Sequence, residues 1–193
     1  MEPPLANELI LRARRLAVLL SARGTEYAFI GGLAMNAWTI PMPTYDIDLC
    51  VAVAPDDVQE LVRELDAEGF VPPSTSWLES IGRARFQEFT VHFPHGTGLR
   101  PVDVFLATDA FQREALSRRR SVELEAGFQT YVVTPEDLLV YKLIAWRQKD
   151  RSAIERLLAV QQDLDWDYVK RWAARFDVEG RMREARREAG LES

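Results

Sequence analysis

The sequence contains few of the residues that cross-link a protein or anchor it in a membrane. Its single cysteine, Cys50, cannot form a disulfide within the chain. Its two histidines, His92 and His95, lack the further ligands of a zinc site, and we interpret both as structural or surface residues. No apolar stretch reaches the roughly 18 residues that a membrane-crossing helix requires. These absences argue against disulfide-stapled, zinc-stabilised and membrane-spanning classes.

The first twenty residues also lack the order of a secretory signal, because arginines interrupt their apolar residues at helical spacing. We find no internal repeat and no low-complexity segment. With 193 residues and 47% hydrophobic content, the chain can bury the core of one domain, with or without a small helical appendage. We therefore expect a cytoplasmic protein that has no membrane partner.

Positive charge is in the minority. Thirty acidic residues against 24 basic ones give a formal net charge of −6, which argues against a protein that coats nucleic acid by charge alone. Two local basic runs exist, Arg118 to Arg120 and the four arginines between 181 and 187. We interpret both as solvated helix surface, because Glu184 and Glu188 alternate with the second run at helical spacing.

Hydrophobic periodicity changes along the chain between helical and extended, which predicts the α+β class. Helices are predicted over residues 5–22, 33–38, 55–69, 151–161, 166–175 and 178–189, and strands over residues 27–30, 45–53, 83–93 and 101–106. Thr134 and Pro135 are typical of the start of a further helix. We expect a small mixed β-sheet flanked by helices over residues 1–133, followed by a helical C-terminal region over residues 134–193 that packs on it.

The most informative tripeptide is Asp46-Ile47-Asp48. Side chains alternate across a strand, so both aspartates should project from one face, with Cα atoms about 6.6 Å apart. Two carboxylates at that separation can bind a pair of magnesium ions, which lie roughly 3.5 to 4 Å apart in sites for in-line phosphoryl displacement. Taken alone, the same pattern also fits the solvent-facing stripe of an ordinary strand.

A third aspartate favours the metal interpretation. Asp103 lies in Pro101-Val102-Asp103-Val104-Phe105, again among residues typical of a strand. Aspartate is depleted in strand interiors, so three of them in two strands require an explanation beyond solubility. A neighbouring strand would place Asp103 beside Asp46 and Asp48.

A glycine pair, Gly31-Gly32, separates the strand at 27–30 from the helix at 33–38. Such a pair is usually a plain turn. Without Cβ atoms it also lets backbone N–H groups approach a triphosphate at the start of a helix.

In combination, these segments resemble the nucleotidyltransferase superfamily of polymerase beta-like folds. A later part of the chain is similar to the branch that contains AbiEii-type toxins and uncharacterised bacterial relatives. The segments that carry the two resemblances are Gly31-Gly32-Leu33-Ala34, Thr44 to Leu49 and Val102-Asp103-Val104 for the superfamily, and Val133 to Leu139, Lys142 to Ala145 and Lys149-Asp150 for the branch.

The resemblance implies a magnesium-dependent enzyme that transfers a nucleoside monophosphate from an NTP to an acceptor hydroxyl and releases pyrophosphate. Asp46, Asp48 and Asp103 would be the catalytic and metal-binding residues, for two Mg²⁺ ions or Mn²⁺, with Asp103 assisting deprotonation of the acceptor. The nucleotide-binding residues would be Gly31, Gly32, Thr44 and Lys142. The toxin branch implies tRNA as acceptor and an antitoxin as partner. A small molecule, a protein acceptor and a non-catalytic nucleotide-binding module remain alternatives.

Other residues have two interpretations each. Lys142 is the only charge on an otherwise apolar helix segment, and either meets a phosphate or site carboxylate or extends to water. Asp150 either caps the following helix or orients Lys142. Related sequences often carry an arginine two residues before the threonine that corresponds to Thr44, where this chain has Met42. A second departure is Ala153, close to the place where an acid is often found after the Lys-Asp pair.

Three residues of the middle section have weaker assignments. Arg83 and Arg85 share one face of a predicted strand, and either contact phosphate or are displayed on the surface. Trp77 lies in a polar loop, where it is a candidate for substrate contact, whereas the other tryptophans are predicted to pack in the core.

Overall fold

The computed structural model describes residues 5–72, 79–80 and 86–191. The interpretations of Trp77, Arg83 and Arg85 lie outside these residues. The described helices are α1 (Leu5–Ala22), α2 (Gly31–Trp38), α3 (Val58–Ala67), α4 (Ala110–Arg118), α5 (Pro135–Ala145), α6 (Gln148–Val160), α7 (Trp166–Phe176) and α8 (Glu179–Glu188). The described strands are β1 (Tyr27–Phe29), β2 (Ile47–Val51), β3 (Glu79–Ser80), β4 (Gln87–His95), β5 (Gly98–Leu106), β6 (Arg120–Glu125) and β7 (Phe128–Val132).

These strands form one mixed sheet in the order β3-β4-β5-β2-β1-β7-β6. The two central pairs have opposite senses, since β2 runs antiparallel to β1 and parallel to β5. On either side of the centre, β4 and β5 form one hairpin and β6 and β7 another, with β3 outside β4. The predicted mixed sheet flanked by helices is confirmed.

The central strands are apolar because they are covered on both faces. Ile47, Leu49, Cys50 and Val51 of β2 are all at most 1% exposed. A strand buried in this way has a nearly continuous apolar sequence, which Asp48 interrupts. The helices supply the cover, and every helix contributes buried residues to one continuous core, among them Leu16, Leu33, Leu61 and Leu143.

Helix starts follow local chemistry. Thr134 caps α5 by accepting a hydrogen bond from the Asp137 amide at 3.3 Å, and Pro135 occupies the first helical position. Pro55 opens a short 3-10 turn that leads into α3. The predicted starts of both helices are therefore confirmed. Within the described residues, no helix combines the length and apolar content that a bilayer crossing demands.

The first basic run is not the solvated helix surface that was predicted. Arg118 ends α4, and its guanidinium lies 3.9 Å from the ring centre of Tyr168 and bonds to Glu136. Arg119 bonds to Glu26 at 3.2 Å and packs over Tyr131. Two of the three arginines therefore hold elements of this chain together, a role that helical spacing does not reveal.

Candidate active site

The sheet places Asp48 and Asp103 side by side. They are register partners on the parallel strands β2 and β5, and directly opposed residues of neighbouring strands project from the same face about 4.8 Å apart. Asp46 lies immediately before β2, which begins at Ile47 rather than at the predicted residue 45. The carboxylates are half-buried. The neighbouring-strand position predicted for Asp103 is therefore observed, although Asp46 belongs to the loop instead of the strand.

Two threonine hydroxyls donate hydrogen bonds to the carboxylates of Asp46 and Asp103. Thr90, the register partner of Asp103 on β4, donates a hydrogen bond to its Oδ1 at 2.7 Å. Thr44 donates to Asp46 Oδ1 at 3.0 Å. Thr44 was predicted to bind nucleotide, and in this structure it contacts Asp46. Thr90 was not predicted, because its partnership depends on strand pairing.

Burial and neighbouring negative charge raise the pKa of two of these carboxyl groups. Burial raises the pKa of Asp48 to about 7, and the neighbouring charges of Asp46 and Asp103 add to the increase. Burial also raises the pKa of Asp103, an effect that the Thr90 hydrogen bond opposes. A bound cation would relieve this repulsion.

The glycine pair leaves room for this cluster. Gly31 has φ +57°, and a Cβ there would lie 1.8 Å from Asp48 Oδ2. A Cβ on Gly32 would lie 2.2 Å from Thr44 Oγ1. Both distances are far shorter than van der Waals contact. A side chain at position 31 would displace the Asp48 carboxylate, and one at position 32 would displace Thr44, which binds Asp46. Helix α2 begins at Gly31 itself, two residues earlier than predicted.

Lys142 faces the cluster from α5. Its Nζ donates to Asp150 Oδ1 at 3.1 Å, and its charge lowers the pKa of Asp48. Asp150 is fully buried and also accepts hydrogen bonds from the Arg147 amide at 3.1 Å and the Arg147 Nε at 2.7 Å. Asp150 thus fulfils both of its alternative roles, since it caps α6 and orients Lys142.

We expect Asp150→Asn to destabilise the protein by about 2 to 4 kcal/mol at pH 7, because it leaves buried N–H groups and the Lys142 charge without their carboxylate. Burial raises the pKa of Asp150, but Arg147 and Lys142 outweigh burial, so its pKa is lowered. The stabilisation is therefore present above the unfolded-state pKa and is lost as the pH falls through the folded-state pKa.

Urea denaturation at pH 7 and pH 3 measures this effect. The difference between wild type and Asp150→Asn should shrink at pH 3. The control is Asp163→Asn, which changes an exposed carboxylate and should shift stability by no more than about 0.5 kcal/mol. Equal stability of Asp150→Asn and wild type at pH 7 would show that the ion pairs contribute nothing.

Two clefts meet at Asp48. A polar cleft of about 310 Å³ extends from the glycine turn to α6 and contains all three aspartates. An apolar cleft of about 250 Å³ lies between the sheet and α5. Its apolar lining consists of Ile30, Phe86, Phe105, Leu138, Tyr141, Ile144 and Ala145. Asp48, Lys142 and Arg147 border both clefts, so ligands in the two clefts would meet at these side chains.

The carboxylates suit a hard divalent cation, because magnesium prefers oxygen ligands. Across residues 5–72, 79–80 and 86–191, no three side chains of His, Cys, Asp or Glu stand close enough together to hold a metal as they are. The carboxylates of Asp46 and Asp103 each accept a hydrogen bond from a threonine hydroxyl instead. The donor chemistry fits magnesium, because all three side chains offer carboxylate oxygens.

Comparison with known proteins identifies the family. Residues 10–191 match the family described as "Nucleotidyltransferase of unknown function (DUF6036)". The chain belongs to this family. No protein of curated function matches it. The superfamily resemblance is thereby confirmed, whereas the match does not distinguish the AbiEii branch.

Solved structures of the same fold support the assignment. A nucleotidyltransferase-like antigen of Paracoccidioides brasiliensis has 23% identity and a TM-score of 0.52, covering 82% of this chain and 77% of that one. The antibiotic-resistance factor ANT(2'')-Ia has 16% identity and a TM-score of 0.57, covering 96% and 99%. The lincosamide adenylyltransferase LnuA, solved with lincomycin, has 13% identity and a TM-score of 0.51, covering 78% and 96%. At these identities, the likeness establishes the nucleotidyltransferase fold.

Tertiary structure adds cationic residues that the motifs did not identify as nucleotide-binding. Lys149 and Arg156 of α6 and Arg147 before it line the polar cleft. The Lys149-Asp150 pair served only as a branch marker in the sequence. The one local signal for Arg156 is its spacing of seven residues from Lys149, which two turns of a helix bring to the same face.

Proposed function

We propose that this protein is a magnesium-dependent nucleotidyltransferase of the cytoplasm that transfers a nucleoside monophosphate from an NTP to a hydroxyl of a small molecule. The observation that carries this proposal is the pairing of Asp48 with Asp103 on adjacent parallel strands, with Asp46 and the Gly31-Gly32 turn beside them. We further propose that residues 1–133 form the catalytic core and that residues 134–193 form a helical region that supplies Lys142 to it.

Two magnesium ions would be held by Asp46, Asp48 and Asp103. Manganese would fit the same oxygen donors. Magnesium bound there would neutralise phosphate charge and lower the pKa of the acceptor hydroxyl. In this structure, Thr44 and Thr90 hold the carboxylates of Asp46 and Asp103 by one hydrogen bond each.

The protein's own residues prepare the transfer. Gly31 and Gly32 line the apolar and the polar cleft, where their backbone N–H groups would bind the triphosphate, and Lys142 adds a positive charge near Asp48. The acceptor oxygen forms a bond to the α-phosphorus while the bond from that phosphorus to the β-phosphate oxygen breaks, so pyrophosphate leaves. Asp103 is suited to accept the hydroxyl proton, because its raised pKa makes it a stronger base than an exposed aspartate.

The acceptor is assigned to the apolar cleft. A ring system there would place a hydroxyl near Asp48, which borders both clefts. An RNA acceptor is less favoured, because Arg118 and Arg119 bond within the chain and the net charge is −6. Two proteins of the same fold were solved with small molecules, ANT(2'')-Ia with adenylyl-2''-tobramycin and LnuA with lincomycin.

Incubation of the protein with labelled NTPs, magnesium and hydroxylated small molecules tests the proposal. We expect labelled product and pyrophosphate with wild type, and at least a 100-fold lower rate with Asp46→Ala and with Asp103→Ala. Asp163→Asn serves as control. Label on tRNA instead would support a toxin-like enzyme with an antitoxin partner, and label on protein a protein-modifying enzyme. Magnesium-NTP binding without any pyrophosphate would indicate a non-catalytic module.

A further inference from the structure

Helix α6 presents a cationic face to the polar cleft. Lys149, Ala153 and Arg156 follow each other at intervals of four and three residues, and all three line this cleft opposite the aspartates. Residues at this spacing lie on one side of a helix. The charge of Lys149 lowers the pKa of both Asp48 and Asp103, so it acts on the carboxylate cluster through space.

The four cations of the polar cleft fall into two pairs. Lys142 and Arg147 share the carboxylate of Asp150 as their ion-pair partner. In the described part of the chain, neither Lys149 nor Arg156 has a carboxylate within ion-pair distance. The Arg156 guanidinium instead contacts the Met42 sulfur, and a thioether is a weak acceptor that carries no charge. Lys149 and Arg156 are thus the two cations of the polar cleft that form no ion pair within the described residues.

On the other side of α6, by contrast, an arginine does have ion-pair partners. Arg151 lies outside the cleft lining and forms ion pairs with Glu184 at 2.9 Å and Glu188 at 2.7 Å. Between the two cations of α6 that line the cleft, Ala153 has the smallest possible side chain with a Cβ, and it is buried. A polyanion lying along α6 would therefore meet a charge at each end and no bulky side chain between them.

We propose that Lys149 and Arg156 bind the β- and γ-phosphates of the NTP, which leave as pyrophosphate, and that Arg156 makes the site selective for polyphosphates over monophosphates. This inference rests on the proposed function. The guanidinium matches a phosphate better than an ammonium does, because it donates two parallel hydrogen bonds.

Isothermal titration calorimetry of the full chain with Mg-ATP, Mg-pyrophosphate and AMP tests the proposal. We expect Arg156→Ala to weaken binding of Mg-ATP and Mg-pyrophosphate at least tenfold and binding of AMP less than twofold. Lys149→Ala should act in the same direction. Arg156→Lys should recover part of the affinity, whereas Arg151→Ala, on the other side of the helix, should leave all three affinities within twofold of wild type. Circular dichroism of each variant establishes that it is folded.

The outcomes separate this inference from the proposed function. If no acceptor is ever labelled but Arg156→Ala loses pyrophosphate affinity, the polyphosphate site stands and the transferase proposal fails. If nucleotidyl transfer occurs and folded Arg156→Ala binds Mg-pyrophosphate as wild type does, the inference is overturned. An equal loss of ATP and AMP affinity would also overturn it, because the residue would then not distinguish the terminal phosphates. In the transfer assay, Arg156→Ala should raise the KM for NTP more than it lowers kcat.

Discussion

Asp48→Asn is expected to abolish nucleotidyl transfer and at the same time to stabilise the metal-free protein. Loss of the carboxylate between the two clefts should lower the rate by at least about 10³-fold, equivalent to about 4 kcal/mol of transition-state stabilisation. The amide is nearly isosteric with the carboxylate and carries no charge, so it removes the repulsion from Asp46 and Asp103 without opening a cavity. Activity and stability should therefore change in opposite directions.

The pH dependence of stability follows from the raised pKa of Asp48. The folded protein holds the Asp48 proton more tightly, with a pKa of about 7, than the unfolded chain, with a pKa of about 3.9. Stability is therefore greatest below pH 4 as far as this group is concerned, and is lost as the pH rises through 7. At pH 8 in EDTA, Asp48→Asn should be more stable than wild type by about 1 to 3 kcal/mol, less than the full shift implies, because the side chain is partly exposed.

Thermal melts in EDTA at pH 5 and pH 8 measure the stability difference, and pyrophosphate release measures activity. Magnesium at 100 times its dissociation constant should stabilise wild type by about 2.7 kcal/mol and so raise its melting temperature, but leave that of Asp48→Asn almost unchanged. Asp163→Asn should follow wild type in both assays. If Asp48→Asn melted below wild type at pH 8, the charged Asp48 would not destabilise the metal-free fold. If it transferred nucleotide at the wild-type rate, the carboxylate cluster would not be the catalytic centre.

Gly31→Ala is expected to lose at least about 100-fold in activity and about 2 to 4 kcal/mol in stability. Two independent costs combine. The left-handed φ of +57° costs an alanine about 1 to 2 kcal/mol. The new Cβ would also lie 1.8 Å from Asp48 Oδ2, so the carboxylate must move out of the cluster. A displacement of about 1 Å in a catalytic group commonly costs about 100-fold in rate.

Two other glycines provide matched comparisons. Gly32→Ala should act through Thr44, whose hydroxyl would have to leave Asp46, and should affect activity more than stability because its φ is not in the left-handed region. Gly180→Ala, in α8, meets nothing within 4 Å and should be neutral or stabilise by up to about 1 kcal/mol.

Urea denaturation and the transfer assay together decide this prediction. Wild-type activity in folded Gly31→Ala would contradict it, because the carboxylate would then be free to move without consequence. If Gly180→Ala were as damaging as Gly31→Ala, the effect would belong to glycine replacement in general rather than to the approach of Asp48.

The local part of the fold was predictable from sequence. The periodicity of α1 and the Thr134-Pro135 start of α5 fix those helices with little help from the rest of the molecule. Helix α4 and the hairpin of β6 and β7 were not predicted. β7 does alternate buried and exposed residues, but it is only five residues long, and its partner β6 at the sheet edge is exposed and rich in charge.

The candidate site divides in the same way. Residue types and spacing were enough to single out Asp46, Asp48, Asp103 and the glycine pair, because aspartate in an apolar strand and paired glycine before a helix are locally unusual. The side chains that contact these residues could not be predicted from the sequence. Thr90 reaches Asp103 through strand pairing, and the contact between Arg156 and Met42 spans 114 positions of the chain.

By itself, the sequence determined the chemistry of this protein: carboxylates, glycines and a lone lysine whose kinds suit metal and phosphate. Tertiary structure decided which of them meet. The parallel pairing of β2 with β5 brings Asp103 to Asp48 across 55 positions, and the packing of α5 and α6 against the sheet leaves Lys142 bound to Asp150 but Lys149 without an acidic partner among the described residues. Spacing along a chain specifies neighbours only within a turn or a strand, whereas side chains far apart in sequence meet through the packing of elements.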